Sequence, residues 1–380
     1  MGDRTQFGLA IIGCGTIGRG RAELAREHPS LGWLGICDVK QDVMGRLAED
    51  VAADFTTTDF RELVARPEVD AVVIATDENW HVEPILAAAE AGHQLFIEKP
   101  LATDPVESQR VIETIRSTGV RAVIGYTQRF RRRFVIARAR IHEGAIGDVT
   151  TVVTRAFMNR MVPIATLART PERRTLTPMV VSGTHSLDAC LWLLEGLEGK
   201  TPVEVYAKQD DKVLGKYGTK DNTLAIFTLE DGSLWSMNIS WALPEQWPGA
   251  VYGLEIGIVG TDGVLDIEDT HRDMVLASGT PLSTTGGYAP IGYEPPPRHV
   301  DFLGSKPNGD TTAMGFWGPM REETLTWYNS LLTGLPTHHA TAEDGHRNLL
   351  LTMAMDKSAR TGLPVRLPPD PAELYSDLVD

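Results

Sequence analysis

The sequence predicts a two-domain α/β protein, in which a doubly wound parallel sheet is followed by an α+β domain with a large, open, mainly antiparallel sheet. The length of 380 residues exceeds that of one average domain. Up to residue 128, short apolar runs alternate with helical segments, a pattern typical of a parallel sheet covered on both faces. Beyond that point, strands follow one another through short turns. The predicted domains are residues 1–128 and 129–380.

Composition restricts the possible partners. The net charge is −15, which argues against nucleic acid and anionic membranes as partners because both attract basic surfaces. No apolar run approaches the roughly 18–20 residues of a membrane span, and the N-terminus lacks a signal-peptide core. The three cysteines, Cys14, Cys37 and Cys190, lie far apart among apolar residues. We therefore expect buried free thiols and a cytoplasmic protein.

The first strand, residues 7–12, runs into a glycine turn of the form G-x-G-x-x-G. The turn is followed by a helix over residues 19–27 and by a second strand over 33–37, which runs into Asp38. This order of strand, glycine turn, helix, strand and acid is typical of a dinucleotide-binding Rossmann domain. The glycines allow backbone N–H groups to approach a pyrophosphate, and the helix N-terminus favours its charge. The predicted contacts of this turn are Gly13, Gly15, Thr16, Ile17 and Gly18.

The residues after the second strand bear on cofactor choice. Asp38 can accept hydrogen bonds from ribose hydroxyls and repels a 2′-phosphate, so it favours NAD. Lys40 could accommodate that phosphate, which leaves NADP open.

The alternation of strands and helices continues to residue 126. The predicted elements are a helix over 58–64, a strand over 70–75, a helix over 81–91, a strand ending at Ile97, a helix from the cap Asp104 to residue 118, and a strand over 121–126. Ligands of such sheets bind beyond the carboxyl ends of the strands. Four residues at those ends can therefore meet around one cofactor: Gly13, Asp38, Thr76 and Lys99.

Lys99 is the predicted chemical centre. It follows a buried strand within the triplet Glu98-Lys99-Pro100, a position that packing alone does not explain. The alternative is a surface lysine paired with Glu98. We assign Lys99 to donation toward a substrate oxygen and to stabilisation of a developing alkoxide.

The second domain begins with a basic helix over residues 130–143. It is followed by a strand over 147–158, a polar loop over 159–178 and a helix over 179–195. The later predicted elements are strands over 203–208, 223–229, 234–241, 254–259 and 264–267, helices over 316–332 and 342–361, and a strand over 364–367. Residues 279–315 are rich in glycine and proline, and we expect a lid, an arm or disorder there. His185 and Asp188 are three residues apart, so they share a helix face.

With these motifs in place, the chain resembles the Gfo/Idh/MocA oxidoreductases, the relatives of glucose–fructose oxidoreductase and inositol dehydrogenase. The resemblance rests on the glycine turn, Glu98-Lys99-Pro100, the Gly-Thr-His-Ser-Leu-Asp segment at 183–188, the entry to the second domain at 125–130 and the ending at 358–362. It implies NAD(P)-dependent oxidation or reduction of a sugar, cyclitol or related carbinol. Lys99 matches the motif lysine beside the reacting hydroxyl, and His185 matches the general acid/base.

Two positions depart from the family pattern. The family has an aspartate four residues before the histidine, where this chain has Val181. The Thr-Pro-Asn type of turn after the fourth strand is replaced by Thr76-Asp77-Glu78-Asn79.

The resemblance also implies further site residues. Those expected at the cofactor are Thr76, Asn79, His81, Glu98, Lys99 and Gln128, and those expected at the substrate are Lys99, Tyr126, Arg129, Asn159, Thr184, His185 and Asp188. For Asp188, a structural hydrogen bond is as plausible as a substrate contact. Without the resemblance, His185 would be interpreted as a satisfied core histidine. No metal site is expected.

Other functions stay open at this point. One is an enzyme that retains NAD and uses transient oxidation for glycoside cleavage or isomerisation. Another is a dihydrodiol dehydrogenase acting on carboxylated aromatics, which the arginines at 129–133 and 169–174 would suit. A third is a catalytically silent nucleotide-binding scaffold. The resemblance, together with an exposed face on the large sheet, leads us to expect a homodimer or homotetramer.

Overall fold

The computed structural model describes residues 5–168, 175–247, 251–268, 274–282, 297–303, 309–312 and 315–379. Arg169, Arg173 and Arg174, and much of the predicted loop 279–315, lie outside these ranges. In the described part of the chain, no helix is both long and apolar enough to cross a membrane. The chain divides into two compact units, Met1–Thr127 with Thr311–His346, and Gln128–Asp310 with Arg347–Asp380. The predicted boundary at 128/129 falls one residue away, but it assigned 311–346 to the second domain.

The first part of the chain alternates strands with helices. Its strands are β1 Phe7–Ile12, β2 Leu31–Cys37, β3 Phe55–Thr57, β4 Ala71–Ile74, β5 Gln94–Ile97 and β6 Ala122–Ile124. Its helices are α1 Thr16–Arg26, α2 Gln41–Asp50, α3 Phe60–Val64, α4 Val82–Glu90 and α5 Pro105–Thr118, with 3₁₀ turns at Glu78–Trp80 and Thr127–Phe130.

The second part is richer in strands. Its strands are β7 Val149–Asn159, β8 Pro202–Asp210, β9 Asn222–Leu229, β10 Leu234–Leu243, β11 Val251–Gly260, β12 Val264–Ile267, β13 Met274–Leu282, β14 Arg298–Leu303, β15 Asp310–Thr312, β16 Gly315–Trp317, β17 Ala340–Thr341 and β18 Val365–Arg366. Its helices are α6 Arg132–His142, α7 Met161–Leu167, α8 Thr184–Leu194, α9 Pro319–Thr333, α10 Ala342–Thr361 and α11 Pro371–Val379, with a π-helical turn at Pro178–Gly183 and a 3₁₀ turn at Gly215–Tyr217.

A seven-stranded sheet forms the centre of the first unit, in the order β17-β6-β5-β4-β1-β2-β3. Strands β1 to β6 are parallel, and only β17 runs antiparallel, against β6. Both faces of the sheet are apolar and each is covered by its own hydrophobic cluster. The predicted doubly wound sheet is therefore confirmed. The sequence pattern missed α2, β3 and the edge strand β17.

A second seven-stranded sheet forms the centre of the other unit, in the order β12-β11-β7-β10-β9-β8-β18. Its pairings are antiparallel except for β7 with β10, which are parallel. Apolar residues of α6, α8 and α10 fill one face of this sheet. This confirms the mainly antiparallel α+β domain. Helix α7 lies where a polar loop was predicted, and the β13–β14 hairpin includes described parts of the predicted loop 279–315.

Helix termini show why the local predictions succeed. Asp104 accepts hydrogen bonds from the backbone N–H groups of Val106 and Glu107 at 2.8 and 2.9 Å, which caps α5. Such a cap stabilises a helix by about 1 kcal/mol. Gly119 ends the helix with φ +70°, in the left-handed region that glycine tolerates.

Candidate functional site

The glycine turn joins β1 to α1 with very little space around two of its three glycines. A Cβ at Gly13, where φ is +100°, would lie 2.4 Å from the carbonyl oxygen of Ala75, and a Cβ at Gly18 would lie 1.8 Å from the carbonyl oxygen of Gly13. Around Gly15, by contrast, a Cβ would meet nothing within 4 Å. The backbone at Gly15 therefore faces open space, which is what close approach of a pyrophosphate requires.

The first turn of α1 carries the matching electrostatics. Gly15 is its N-cap and makes no side-chain cap, and no acidic residue lies in the first turn, which begins with Thr16 and Ile17. The N-terminal N–H groups and the positive end of the helix dipole can therefore bind an anionic group.

Asp38 braces this turn from the end of β2. Its Oδ2 accepts a hydrogen bond from the N–H of Cys14 at 2.7 Å, and its Oδ1 accepts one from the N–H of Lys40 at 2.8 Å. A carboxylate has about four lone-pair positions, so two remain for ribose hydroxyls. Burial, and secondarily the charge of Asp38, raises the pKa of the Cys14 thiol to about 12, so the thiol stays protonated. The three cysteines are buried and free, as predicted.

The turn after β4 is fixed by His81. This residue is fully buried, and its two ring nitrogens lie 2.8 Å from the carbonyl oxygen of Pro100 and 3.2 Å from that of Thr76. Asn79 is also held, because its Oδ1 accepts a hydrogen bond from the Thr103 hydroxyl at 2.8 Å. His81 and Asn79, both predicted at the cofactor, thus tie together the segments that follow β4 and β5.

Two buried polar atoms among the predicted cofactor residues lack a hydrogen-bond partner among the described residues, the hydroxyl of Thr76 and Oε1 of Gln128. Buried polar groups are normally satisfied, so an orphaned one is a candidate ligand contact. Thr76 lies at the carboxyl end of β4, which pairs with β1 on one side and β5 on the other. The open backbone at Gly15, the spare acceptors of Asp38 and the Thr76 hydroxyl together suit a dinucleotide.

Glu98 and Lys99 follow β5 at the same edge of the sheet. Glu98 accepts hydrogen bonds from Arg21, whose Nε lies 2.7 Å from its Oε1. Lys99 is half-buried. Nothing in the sequence analysis singled out Arg21. The sequence signal for Arg21 was a charged residue three positions after Gly18. It lies on the buried face of α1, together with Ala22 and Ala25.

In the second unit, His185 lies in the first turn of α8. Every other residue of that helix is buried, and His185 alone is partly accessible. The preceding π-helical turn is capped by Thr177, which accepts a hydrogen bond from the N–H of Val180 at 3.2 Å. The Thr177 hydroxyl donates to Asp356 at 2.6 Å. The sequence analysis missed this anchor because the two residues are 179 positions apart.

Val181 packs in an apolar cluster. It is 6% exposed, and the buried members of the cluster are Leu167, Leu176, Val181, Leu214 and Trp241. The position that the resemblance expects to hold an aspartate is thus an apolar packing position in this chain.

The structure gives several predicted substrate residues other partners. Arg129 makes a bidentate pair with Asp188, which also accepts a hydrogen bond from the Asn348 amide at 2.9 Å. The Asn159 amide donates to the Trp247 carbonyl at 3.0 Å. The predicted substrate residues that are nearly fully buried are Tyr126, Arg129, Asn159, Thr184 and Asp188. Lys99 in the first unit and His185 in the second are the partly accessible members of the predicted substrate set.

Metal-ligand side chains do not gather at either place. Across the described ranges, no three His, Cys, Asp or Glu side chains are arranged to hold a metal ion. The groups at the first unit's sheet edge that suit a ligand are backbone N–H groups, the Asp38 carboxylate, the Thr76 hydroxyl and the Lys99 ammonium.

Comparison with known proteins places this geometry in context. Over 367 residues the chain is 25% identical to myo-inositol 2-dehydrogenase of Thermotoga maritima, and the match covers 94% of this chain and 98% of that protein. It is 32% identical over 283 residues to scyllo-inositol 2-dehydrogenase (NAD(+)) of Bacillus subtilis, covering 72% and 78% of the two chains. The crystal structure of scyllo-inositol dehydrogenase from Lactobacillus casei, with bound NAD(H) and scyllo-inositol, shares the fold. There the TM-score is 0.75 at 19% identity, over 96% of this chain and 100% of that one.

Two family descriptions match consecutive parts of the sequence. Residues 7–126 match the oxidoreductase family with an NAD-binding Rossmann fold, and residues 134–266 match the GFO/IDH/MocA C-terminal domain. Together these matches span the parallel sheet and most of the second sheet. The chain therefore belongs to the Gfo/Idh/MocA oxidoreductase family, as the sequence motifs predicted.

Proposed function

We propose that this protein is an NAD-dependent dehydrogenase that oxidises a CH–OH group of a cyclitol, or of a closely related sugar, to the carbonyl. The observation that carries the proposal is the common sheet edge of three segments. The glycine turn after β1, Thr76 after β4 and Lys99 after β5 all lie beyond the carboxyl ends of adjacent parallel strands. The relatives named above, which act on inositols, support the substrate class.

The residues that would hold NAD are those whose geometry suits it. Gly15 and the first turn of α1 would bind the pyrophosphate, Asp38 the adenosine ribose, and Thr76 a polar group nearer the nicotinamide. Asp38 already carries two backbone hydrogen bonds, so its carboxylate is held where it would repel a 2′-phosphate. We therefore propose NAD rather than NADP.

Two residues are assigned to the proton chemistry. Lys99 donates a hydrogen bond to the substrate oxygen and stabilises negative charge as it develops there. His185 accepts the hydroxyl proton, a role that suits an imidazole at neutral pH. The bound cofactor supplies the nicotinamide carbon that accepts the hydride. The carbinol loses one hydride from carbon and one proton from oxygen, and becomes a carbonyl. In reduction the same groups act in the opposite sense.

Val181 leaves the proton transfer assigned to His185 without a carboxylate at position 181. A carboxylate at this position would add a hydrogen-bonding and charged neighbour to the helix that carries His185. Here the position is filled by apolar packing against Leu176 and Trp241. We propose that Lys99 and His185 carry the proton chemistry without that third group.

A substrate panel tests the proposal. The purified protein is incubated with myo-, scyllo- and chiro-inositol, with aldoses and with sugar acids, each with NAD and with NADP, and reduced nicotinamide is followed by absorbance. We expect NAD reduction with at least one cyclitol or sugar. Product formation without net cofactor change would replace the proposal with an NAD-retaining reaction, and no turnover of any polyol would overturn it.

A further inference from the structure

We propose that Arg21 is a positioning residue for Lys99. It acts by holding the carboxylate of Glu98, the residue before Lys99, on the side of the sheet edge that faces α1 and α9. This inference rests on the proposed role of Lys99. It goes beyond it by identifying what keeps the Glu98–Lys99 dipeptide in a working arrangement.

Each of the three nitrogens of the Arg21 guanidinium has a partner. Its Nε and Nη2 lie 2.7 and 2.6 Å from Oε1 of Glu98. Its Nη2 also donates to Glu323 at 2.8 Å, and its Nη1 donates to the Thr324 hydroxyl at 2.6 Å. The guanidinium lies 3.8 Å from the centre of the Phe96 ring. Every edge and one face of the guanidinium are thus engaged, which fixes its orientation.

Burial makes this arrangement hard to replace. Arg21 and Glu323 are both 0% exposed. A guanidinium carries its charge at every physiological pH, so a buried one requires anionic partners. Glu323 belongs to α9, some 300 residues from Arg21 in the chain. The carboxylate of Glu98 is therefore held by a cation that is itself anchored to a distant helix.

Strand alternation explains which side Glu98 takes. Phe96 and Glu98 are two residues apart and share one face of the sheet edge. Phe96 packs in the cluster that contains α1 and the Trp327 and Tyr328 side chains of α9, whereas Ile97 packs in the cluster on the other face. Arg21 thus draws Glu98 toward the α1–α9 side.

Gly125 provides the space for this contact. A Cβ at Gly125 would lie 3.0 Å from Oε2 of Glu98 and 3.2 Å from Nη2 of Arg21. Any larger residue there would press on the ion pair itself. Two further chain segments, α9 and the residue after β6, therefore converge on the Arg21–Glu98 pair, and neither contributes a group to the proposed chemistry.

The consequence concerns the ammonium of Lys99. With Glu98 held by Arg21, its carboxylate is not available to turn toward the next residue. Without Arg21, Glu98 would lose its partner, and the adjacent cation would become its nearest candidate. Lys99 would then be drawn away from the substrate oxygen, and a carboxylate beside its ammonium would raise the alkaline pH above which the enzyme loses activity.

The test compares Arg21→Gln with the double variant Arg21→Gln/Glu98→Gln. For Arg21→Gln we expect kcat per NAD-binding site to fall about 10- to 100-fold, with a displaced pH profile, while the Kd for NAD changes less than about threefold. Removing the Glu98 charge as well is expected to return the pH profile toward that of the wild type. Tyr328→Phe is the matched control, because it deletes only the hydrogen bond of 2.9 Å to the Arg21 carbonyl in the same cluster. It should keep the wild-type profile.

Other outcomes are decisive as well. If Arg21→Gln keeps wild-type kcat per NAD-binding site, or if the double variant gives no recovery of the profile, Arg21 is a structural residue only. If Arg21→Gln does not fold, Arg21→Lys retains the charge but not the fork that reaches both carboxylates, and it should show the same displacement to a smaller extent. A Lys99→Met variant with wild-type activity would overturn the proposed role of Lys99 itself, independently of Arg21.

Discussion

Arg129 donates two hydrogen bonds to Asp188, from Nε at 2.8 Å and from Nη2 at 2.7 Å. The two side chains are 3% and 0% exposed. Arg129 is the second residue of the second unit and precedes α6, and Asp188 lies one turn after His185 in α8. The pair therefore ties the helix of the candidate acid/base to the start of its unit. Arg129 was predicted at the substrate, and for Asp188 a structural hydrogen bond was as plausible as a substrate contact. In the structure the two charges are directed at each other.

We expect Asp188→Ala to destabilise the protein by about 3–5 kcal/mol, because it leaves the Arg129 guanidinium buried without its carboxylate partner. Urea unfolding at neutral pH measures this loss. Asp188→Asn, which keeps the shape and one acceptor oxygen, should cost less. Unchanged unfolding free energy together with a raised KM would instead show that Asp188 binds substrate.

The parts of the fold that could be predicted are those with local causes. Strand β1 runs over the six residues that its apolar run indicated, and α5 begins after Asp104 and ends at Gly119 as its capping signals indicated. The glycine turn was equally predictable, since the strain at Gly13 demands a residue without Cβ. In each case, neighbours in sequence determine the conformation.

The parts that could not be predicted depend on distant partners. Helix α9 was expected, but its return to the first unit was not, because no spacing rule connects Glu323 to Arg21. The site shows the same limit. The sequence indicates which residue types could do chemistry, but the bonds that direct Arg129 to Asp188 and Thr177 to Asp356 arise only from tertiary packing. Short β3, with three residues, carries too little pattern to be recognised.

Lys99→Ala should lower turnover by more than about 100-fold while the Kd for NAD stays close to that of the wild type. The reason is that the ammonium would donate to the substrate oxygen, and loss of one such donor typically has this effect. Steady-state kinetics and cofactor titration measure the two quantities separately. The exposed Lys212 provides a control for loss of a lysine elsewhere. Near-wild-type turnover in Lys99→Ala would show that Lys99 takes no part in the chemistry.

Asp38→Ser should weaken NAD binding about 10- to 100-fold and improve the use of NADP relative to NAD. Hydrogen bonds to a charged group contribute about 1.5–3 kcal/mol, and the carboxylate that repels a 2′-phosphate is removed. The comparison is kcat/KM with each cofactor. Because Asp38 also holds the N–H of Cys14, thermal unfolding must be followed in parallel. Equal losses with both cofactors would show that the residue only braces the glycine turn.

The large sheet of the second unit leaves apolar residues exposed on the face opposite its helices. On β9, Leu224 and Ile226 are 54% and 51% exposed, while the alternating Ala225 and Phe227 are buried. We expect a second copy of this chain to cover this face. Ile226→Asp should then lower the molar mass measured by light scattering, whereas Leu335→Asp, at another exposed apolar position, should not. A wild-type protein that is monomeric at micromolar concentration would contradict the expectation.

Asp356 is expected to make stability depend on pH in a definite direction. Burial raises its pKa from 3.8 to about 6, although the hydrogen bonds from Thr177 and Gln209 favour the charged form. Because the folded state then binds the proton more tightly than the unfolded state, this residue stabilises the fold at low pH, and the contribution is lost as the pH rises from about 4 to 6. At one pKa unit per 1.36 kcal/mol, the loss is at most about 3 kcal/mol. Asp356→Asn does not titrate, so its unfolding free energy in urea, relative to that of the wild type, should rise between pH 4 and pH 7. A difference between the two proteins that is constant over this range, or that falls, would mean that Asp356 is readily ionised in the folded protein and holds Thr177 as a carboxylate.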